Sequence, residues 1–288
     1  MIQCCNGYAT GAERTLLHHS ILQEHDIHPA KLLHLLYHEL RTSRSAYSYV
    51  IEADEFERQM DLFVQLRGIS GADLWPEITF DDGHRSNFEL ALPALQSRGL
   101  QAHFFITAGW TGHKSGYMNW EELRSLHGAG QLIGAHGWTH TLLTHCSEAE
   151  LRRELNDARR MLEDKLGASI TTMSLPGGRS NRQVLAACRE AGYTRIYTSV
   201  PKSESLQMGF TVGRLNIRRE MTLEWLSALF APNSRVLSRL SQQYKIKATI
   251  QSLLGDAIYE KLWAIMNRKE QDAITDEAAE NEGSAHNQ

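Results

Sequence analysis

Two short stretches of this chain carry residue types that can do chemistry. The first is Thr79-Phe80-Asp81-Asp82-Gly83. Two adjacent carboxylates are costly unless a cation or a shared proton relieves them, so the pair points to a metal or a catalytic proton. Taken alone, the same residues also fit a turn in which one aspartate caps the next helix. The second stretch is His136-Gly137-Trp138-Thr139-His140. Histidines four apart present both imidazoles to one ion from a helical turn or a tight loop, although an isolated pair at this spacing is common. Position joins the two stretches: each directly follows a run of strand character, and in a parallel α/β architecture such ends gather at one face. One aspartate and two histidines make three protein ligands. That number leaves coordination positions for water and substrate, the arrangement of a catalytic rather than a structural site.

The elements that must position these residues are legible from periodicity. KLLHLLYHEL, from Lys31, is an apolar run suited to a buried strand, and residues 53–66 carry apolar side chains at helical spacing. Strand-like runs recur at 77–80, 102–107, 131–136, 171–175, 193–200 and 211–217, each followed by a turn signal and most by a helical pattern. Ser147 with Glu150 forms a capping box, Asn119 and Asn181 stand at helix starts, and Gly167 stands at a helix end. Pro93 should kink its helix or begin the second half. The fold class is α/β, with parallel βα units forming a barrel or a doubly wound sheet. The alternation stops after Phe230, and 235–268 has a helical pattern that includes Tyr259, Leu262, Trp263 and Ile265. The expected organisation is an N-terminal extension (1–30) containing His18, His19, His25 and His28, a catalytic domain (31–230), a helical extension (231–268) and an acidic disordered tail (269–288).

Composition removes several classes. The chain has 288 residues, a net charge of -4 and 42% hydrophobic residues. It has no broad basic field for nucleic acid and no apolar run of integral-membrane length. Four cysteines, of which Cys4 and Cys5 are adjacent, do not make a disulfide framework, and Cys146 and Cys188 are expected to be reduced. No secretory signal is visible, which gives a cytoplasmic expectation.

TFDDG followed by HGWTH resembles the polysaccharide deacetylase family, the NodB homology domain of carbohydrate esterase family four, over about Lys31 to Phe230. The resemblance implies a distorted, incomplete (β/α) barrel of about seven parallel strands, here with a C-terminal helical extension. It implies Asp81 as catalytic base and Asp82, His136 and His140 as ligands of one divalent metal ion. That ion is zinc in many relatives, with cobalt, nickel, manganese or iron also used. Ser174-Leu175-Pro176-Gly177-Gly178 matches the family's third motif, in which the backbone N–H at Gly177 would help form an oxyanion hole. Taken alone, that segment is a βα turn. The implied activity is metal-dependent hydrolysis of acetyl groups, foremost N-acetyl, from a poly- or oligosaccharide or its biosynthetic intermediate. The alternatives are a carbohydrate-binding or assembly protein without turnover, partnering polysaccharide-assembly proteins through its C-terminal helices, and a non-sugar amidase on the same scaffold.

The chain also departs from the family. The third motif usually carries an arginine two residues before its proline to orient the base. Ser174 stands there instead, with Arg179 after the glycines as the expected substitute. The late Leu-x-x-His that supplies the proton donor is missing: VGRLNIRRE has no histidine, and none occurs between His145 and His286. YTRIYTSVPK replaces the usual aspartate-tryptophan motif, and the general acid is unassigned. Arg214 and Arg218 are expected at the rim as substrate-binding residues that hold an anionic sugar or stabilise charge. His84 is expected to line the pocket. Trp138, with Trp110, Tyr117 and Trp120, is read as sugar platform or core edge. His145 is a neighbour of the second ligand, His103 an interior strand residue, and His38 lies near the rim or core with its role unassigned.

Overall fold

The computed structural model describes residues 31–69 and 73–254. The N-terminal extension, the acidic tail and the predicted helix beyond Leu254 lie outside the described residues.

Among the described residues, ten strands and seven α-helices alternate along the chain. β1 (Lys31–Tyr37) is followed by a parallel pair, β2 (Glu39–Arg41) and β3 (Val50–Glu52), and then by α1 (Ala53–Arg67). β4 (Leu74–Phe80) leads to a π-helical turn (Asn87–Ala91) that runs into α2 (Leu92–Gln96). β5 (Ala102–Ile106), α3 (Trp120–Gly128), β6 (Leu132–Ala135), α4 (Glu148–Leu166), β7 (Thr172–Ser174), α5 (Arg182–Glu190) and β8 (Arg195–Tyr197) continue the alternation. β9 (Thr211–Val212), β10 (Arg214–Asn216), α6 (Leu223–Phe230) and α7 (Val236–Leu254) complete it.

The main sheet has eight strands in the order β10-β1-β4-β5-β6-β7-β8-β9, every pair parallel. Its two edges are contributed by one stretch of chain. Thr211 and Val212 pair with Ile196 and Tyr197 of β8, while Arg214 to Asn216 pair with His34 to Leu36 of β1. Gly213 divides the stretch, and a Cβ there would lie 2.5 Å from the Val200 carbonyl. The stretch expected as one strand at 211–217 therefore joins the two edges, and seven stretches of chain go round. This is the α/β, NodB-like barrel architecture expected from the sequence.

Strand alternation sorts the side chains. Leu33, Leu35 and Tyr37, Ile78 and Phe80, Phe104 and Ile106, Met173 and Leu175, and Leu215 and Ile217 belong to one core shared with the helices. The residues between them, including His34, Thr79, Phe105, Ser174, Tyr197 and Arg214, face the other way, and Phe105, Tyr197 and Val212 form a separate small cluster. Every site residue lies on or just beyond this second face.

The helix ends follow local chemistry. Asn119 and Ser147 form capping boxes with Glu122 and Glu150, and Gly167 closes α4 at φ 65°. Pro93 stands in the first turn of α2, at the start of a second half as its missing N–H requires. KLLHLLYHEL differs from expectation in being two strands. The ladder with β4 ends at Tyr37, whose carbonyl accepts the Asp81 N–H, and Glu39–Arg41 turns away to pair with β3.

Candidate active site

Asp81 and Asp82 leave β4 through a tight turn. The Gly83 N–H donates to the Asp81 carbonyl at 3.0 Å, and Asp82 between them has φ 74°. This is a γ-turn with a left-handed centre, a conformation that costs a non-glycine residue about 1–3 kcal/mol. The turn sends neighbouring carboxylates to different tasks. Asp81, 3% exposed, points into the barrel, whereas Asp82 faces the histidine loop.

The guanidinium of Arg214 holds Asp81. Its Nη1 and Nη2 lie 2.8 Å from Oδ1 and Oδ2, and the Ser174 hydroxyl donates to Oδ2 at 2.9 Å. Nη2 also donates to Ser174 Oγ, Nη1 to Thr79 Oγ1 and Nε to the Thr198 carbonyl. Burial pushes the Asp81 carboxyl up, but Arg214 and then His136 outweigh it and hold the group below its ordinary value. The side chain is therefore an oriented carboxylate. Two expectations are corrected here. Arg214 is 0% exposed and engaged on every side, so it is not a rim residue open to substrate. Arg179 does not take the missing arginine's place on Asp81: it lies half-buried after Gly178, within electrostatic reach of Tyr244 on α7.

Asp82, His136 and His140 converge, with one ligand atom from each lying within 4.8 Å of the others. Nε2 of His136 and of His140 stand 3.3 and 3.2 Å from Asp82 Oδ1. Asp82 Oδ1 is buried without a hydrogen-bond partner. The His136 Nδ1 faces the Ser174 carbonyl at 2.9 Å, a contact that fixes Nδ1 as donor and leaves Nε2 to present its lone pair. An orphaned carboxylate oxygen facing two imidazole nitrogens fits a divalent cation, and this donor set suits zinc and its first-row neighbours.

Glu154 of α4, which the sequence reading missed, shapes the loop carrying both histidines. Its Oε2 accepts the N–H groups of Trp138 and Thr139 at 2.8 and 2.9 Å, and its Oε1 accepts the Thr139 hydroxyl at 2.7 Å. Gly137 has φ 80°, and a Cβ there would meet Glu154 Oε2 at 3.1 Å. His140 itself has φ 65°, a second ligand held in left-handed backbone.

His38 was also missed as a site residue. It follows the last residue of β1, on the face shared by His34 and Leu36, and its ring packs on Tyr49 with centroids 5.2 Å apart. Its Nδ1 is buried without a partner, and its backbone carbonyl accepts from Asn87 Nδ2. Burial lowers its pKa, while Asp82 and then Asp81 pull it back up. Leu36 pairs with Asn216, and the Ile217 N–H donates to the Leu36 carbonyl, so His38 comes level with Arg218, the residue that stands where Leu-x-x-His would have its histidine.

The remaining expected residues surround this centre. Gly177 is exposed at φ 66° in the turn Pro176–Gly178 after β7. His84 is held in the wall: its Nδ1 bonds to Ser86, its Nε2 lies 3.8 Å from Glu39, and its ring meets Tyr117 edge-on. Trp138 is half-buried and packs against the core, with its carbonyl over Gly109. Trp110 stacks on His140 at 5.0 Å, and Arg218 is exposed beside Tyr49. His145 is exposed at the end of a short 3-10 turn, and His103 lies buried in the lower barrel against Thr172.

Residues 76–196 match the sequence profile of the polysaccharide deacetylase family. YxkH of Bacillus subtilis is 28% identical over 196 residues, covering 63% of this chain and 69% of that protein. The peptidoglycan-N-acetylglucosamine deacetylase PgdA of Listeria monocytogenes is 31% identical over 124 residues, 43% of this chain. This chain spans only 25% of PgdA's length. In fold, the Streptococcus pyogenes deacetylase PplD, solved in complex with acetate, superposes with a TM-score of 0.62 at 19% identity, covering 71% of this chain and all of that one. IcaB from Ammonifex degensii superposes at 0.59 and 23% identity, covering 70% and 97%. The chain is thus similar to the polysaccharide deacetylase family over β4 to β8, the stretch that contains both motifs.

Proposed function

We propose that this protein is a metal-dependent deacetylase that hydrolyses N-acetyl groups on sugars of a poly- or oligosaccharide or its biosynthetic intermediate. One observation carries the reading. Adjacent carboxylates are divided by a strained turn, so that Asp82 meets two imidazoles while Asp81 is clamped ionised by Arg214.

Asp82, His136 and His140 are the residues that would hold the ion. A divalent cation there supplies Lewis acidity, which polarises the amide carbonyl and makes water a usable nucleophile near neutral pH. Asp81 takes the proton from the attacking water, since its carboxylate is already ionised and its orientation is fixed by two guanidinium bonds and one hydroxyl. The N–H of Gly177, in the turn after β7, would donate to the charge that develops on the carbonyl oxygen. His38 delivers the proton to the departing amine, standing level with the position where relatives carry their late histidine. The C–N bond breaks, and the products are acetate and a free amino sugar. The missing late histidine favours a binding protein without turnover, and His38 is the candidate that answers it in this reading.

The test is acetate release, with metal content measured in parallel, over chitooligosaccharides, peptidoglycan fragments and acetylated glycolipids. Release in proportion to bound metal is expected. Metal-replete protein releasing none from any of them overturns the reading. His38→Gln should lower kcat by about 100-fold or more, in the range of a lost proton donor, with metal content unchanged.

A further inference from the structure

Two cations stand at the rim of the site without a carboxylate partner among the described residues, and each lies on aromatic rings. The Lys114 Nζ is 3.4 Å from the Trp110 ring centroid and 4.4 Å from that of Tyr117. The Arg218 guanidinium lies 5.4 Å from the Tyr49 ring, with Nη2 3.3 Å from the Tyr49 hydroxyl. Both side chains are exposed. Each cluster is one ring away from the reacting centre, and they adjoin different members of it. Trp110 stacks on His140, one of the candidate ligands. Tyr49 packs on His38, the proposed proton donor. The first cluster comes from the loop after β5, and the second combines the loop before β3 with the end of β10.

Other basic residues nearby are neutralised: Arg214 binds Asp81, Arg85 lies 3.3 Å from Glu122, and Arg41 pairs with Glu39. The chain as a whole is acidic, with a net charge of -4, so these two cations are a local feature and not part of a basic surface. A cation held on aromatic rings beside the reacting centre, with no carboxylate of its own, matches a sugar bearing an acidic group that meets the ammonium or guanidinium. A neutral glycan would cover both charges without pairing them, which costs desolvation.

We propose that the cleft selects an acidic glycan, with carboxylate or phosphate groups on the residues flanking the N-acetylated sugar, held by Lys114 on one side of the centre and Arg218 on the other. This inference rests on the deacetylase reading and adds the substrate class to it.

The experiment compares kcat/KM at 25 and 250 mM salt for three N-acetylglucosamine-containing oligosaccharides of matched length. One is neutral (chitohexaose), one alternates with glucuronate, and one is joined by phosphodiesters. The expected result is a preference of at least about fivefold for one or both acidic chains at low salt, carried mainly by KM and shrinking at high salt. The arm preferred identifies the anion. In the K114Q/R218Q protein the acidic-to-neutral ratio should fall towards one. Equal kcat/KM on neutral and acidic chains, or a ratio unchanged in the double variant, overturns the proposal and leaves the deacetylase reading standing. If no chain is hydrolysed, the deacetylase reading fails, and calorimetric binding of the same oligosaccharides to D81N protein still decides the inference. Tighter binding of an acidic chain that is lost in the double variant supports it, and equal or no binding overturns it.

Discussion

At the scale of single residues, the arrangement turns on a cation that reaches the base from β10, across the one intervening strand β1. The ion pair of Arg214 with Asp81 is buried, and breaking such a pair costs about 3–5 kcal/mol when it leaves one charge uncompensated. Arg214→Lys keeps the charge and loses the two-point grip. It should lower kcat by about 10- to 100-fold with little change in KM or metal content. Because the Arg214 charge holds the Asp81 carboxyl low, Arg214→Gln, which removes that charge, should raise the pKa and move the acid limb of the kcat/KM profile to higher pH. A profile whose acid limb stays in place would contradict the assignment. Asp81, Asp82, His136 and His140 were legible in the sequence because each set sits within five consecutive residues. Arg214 was legible as a site residue but with a different task, binding substrate at the rim, and His38 only as a residue near the rim or core. Their roles depend on β10 pairing with β1, which brings together residues far apart in sequence.

At the scale of elements, two backbone devices aim the ligands. The γ-turn at Asp82 and the Glu154 clamp on the histidine loop both act through main-chain N–H groups. Glu154→Ala removes three hydrogen bonds and leaves two N–H groups to find other partners. Metal affinity should fall by about 10- to 100-fold, the usual effect of losing an outer partner of a metal site. Glu154→Gln, which still offers one carbonyl oxygen, should recover part of it. Metal titration of the two variants with a colorimetric chelator checks the order, and equal affinities in wild type and E154A would exclude the clamp. Caps and strands were readable because they are local. Ser147 and Asn119 satisfy orphan N–H groups within three residues, and alternation marks strands wherever a run is long enough. The pairing of β2 with β3 was not readable, because its three-residue strands are too short to carry a period.

At the scale of the whole molecule, the barrel's lower half stores a pH dependence. His34 and His103 are buried on its inner face, and burial, reinforced by Arg214, lowers both pKa values to about 3. The unfolded chain takes up those protons near pH 6.5, its ordinary histidine value. Stability contributed by keeping both neutral is therefore complete above that pH and is lost as pH falls towards 3, by up to about 1.4 kcal/mol per pH unit for each histidine. Urea midpoints should drop steeply between pH 7 and 5, and His34→Leu should flatten that slope. An unchanged slope in the variant would remove His34 from the account. The parallel α/β class followed from the alternation of elements. The way the ring is joined did not, because it depends on Gly213 letting one stretch serve both edges.

The division of labour between the two adjacent aspartates is the central claim, and a paired measurement of acetate release and bound metal in D81N and D82N tests it most directly. D81N should retain stoichiometric metal and lose about 100- to 10,000-fold in kcat, the range for a missing general base, while D82N should lose metal and activity together. Turnover near the wild-type rate in metal-loaded D81N, or full metal occupancy in D82N, would contradict it.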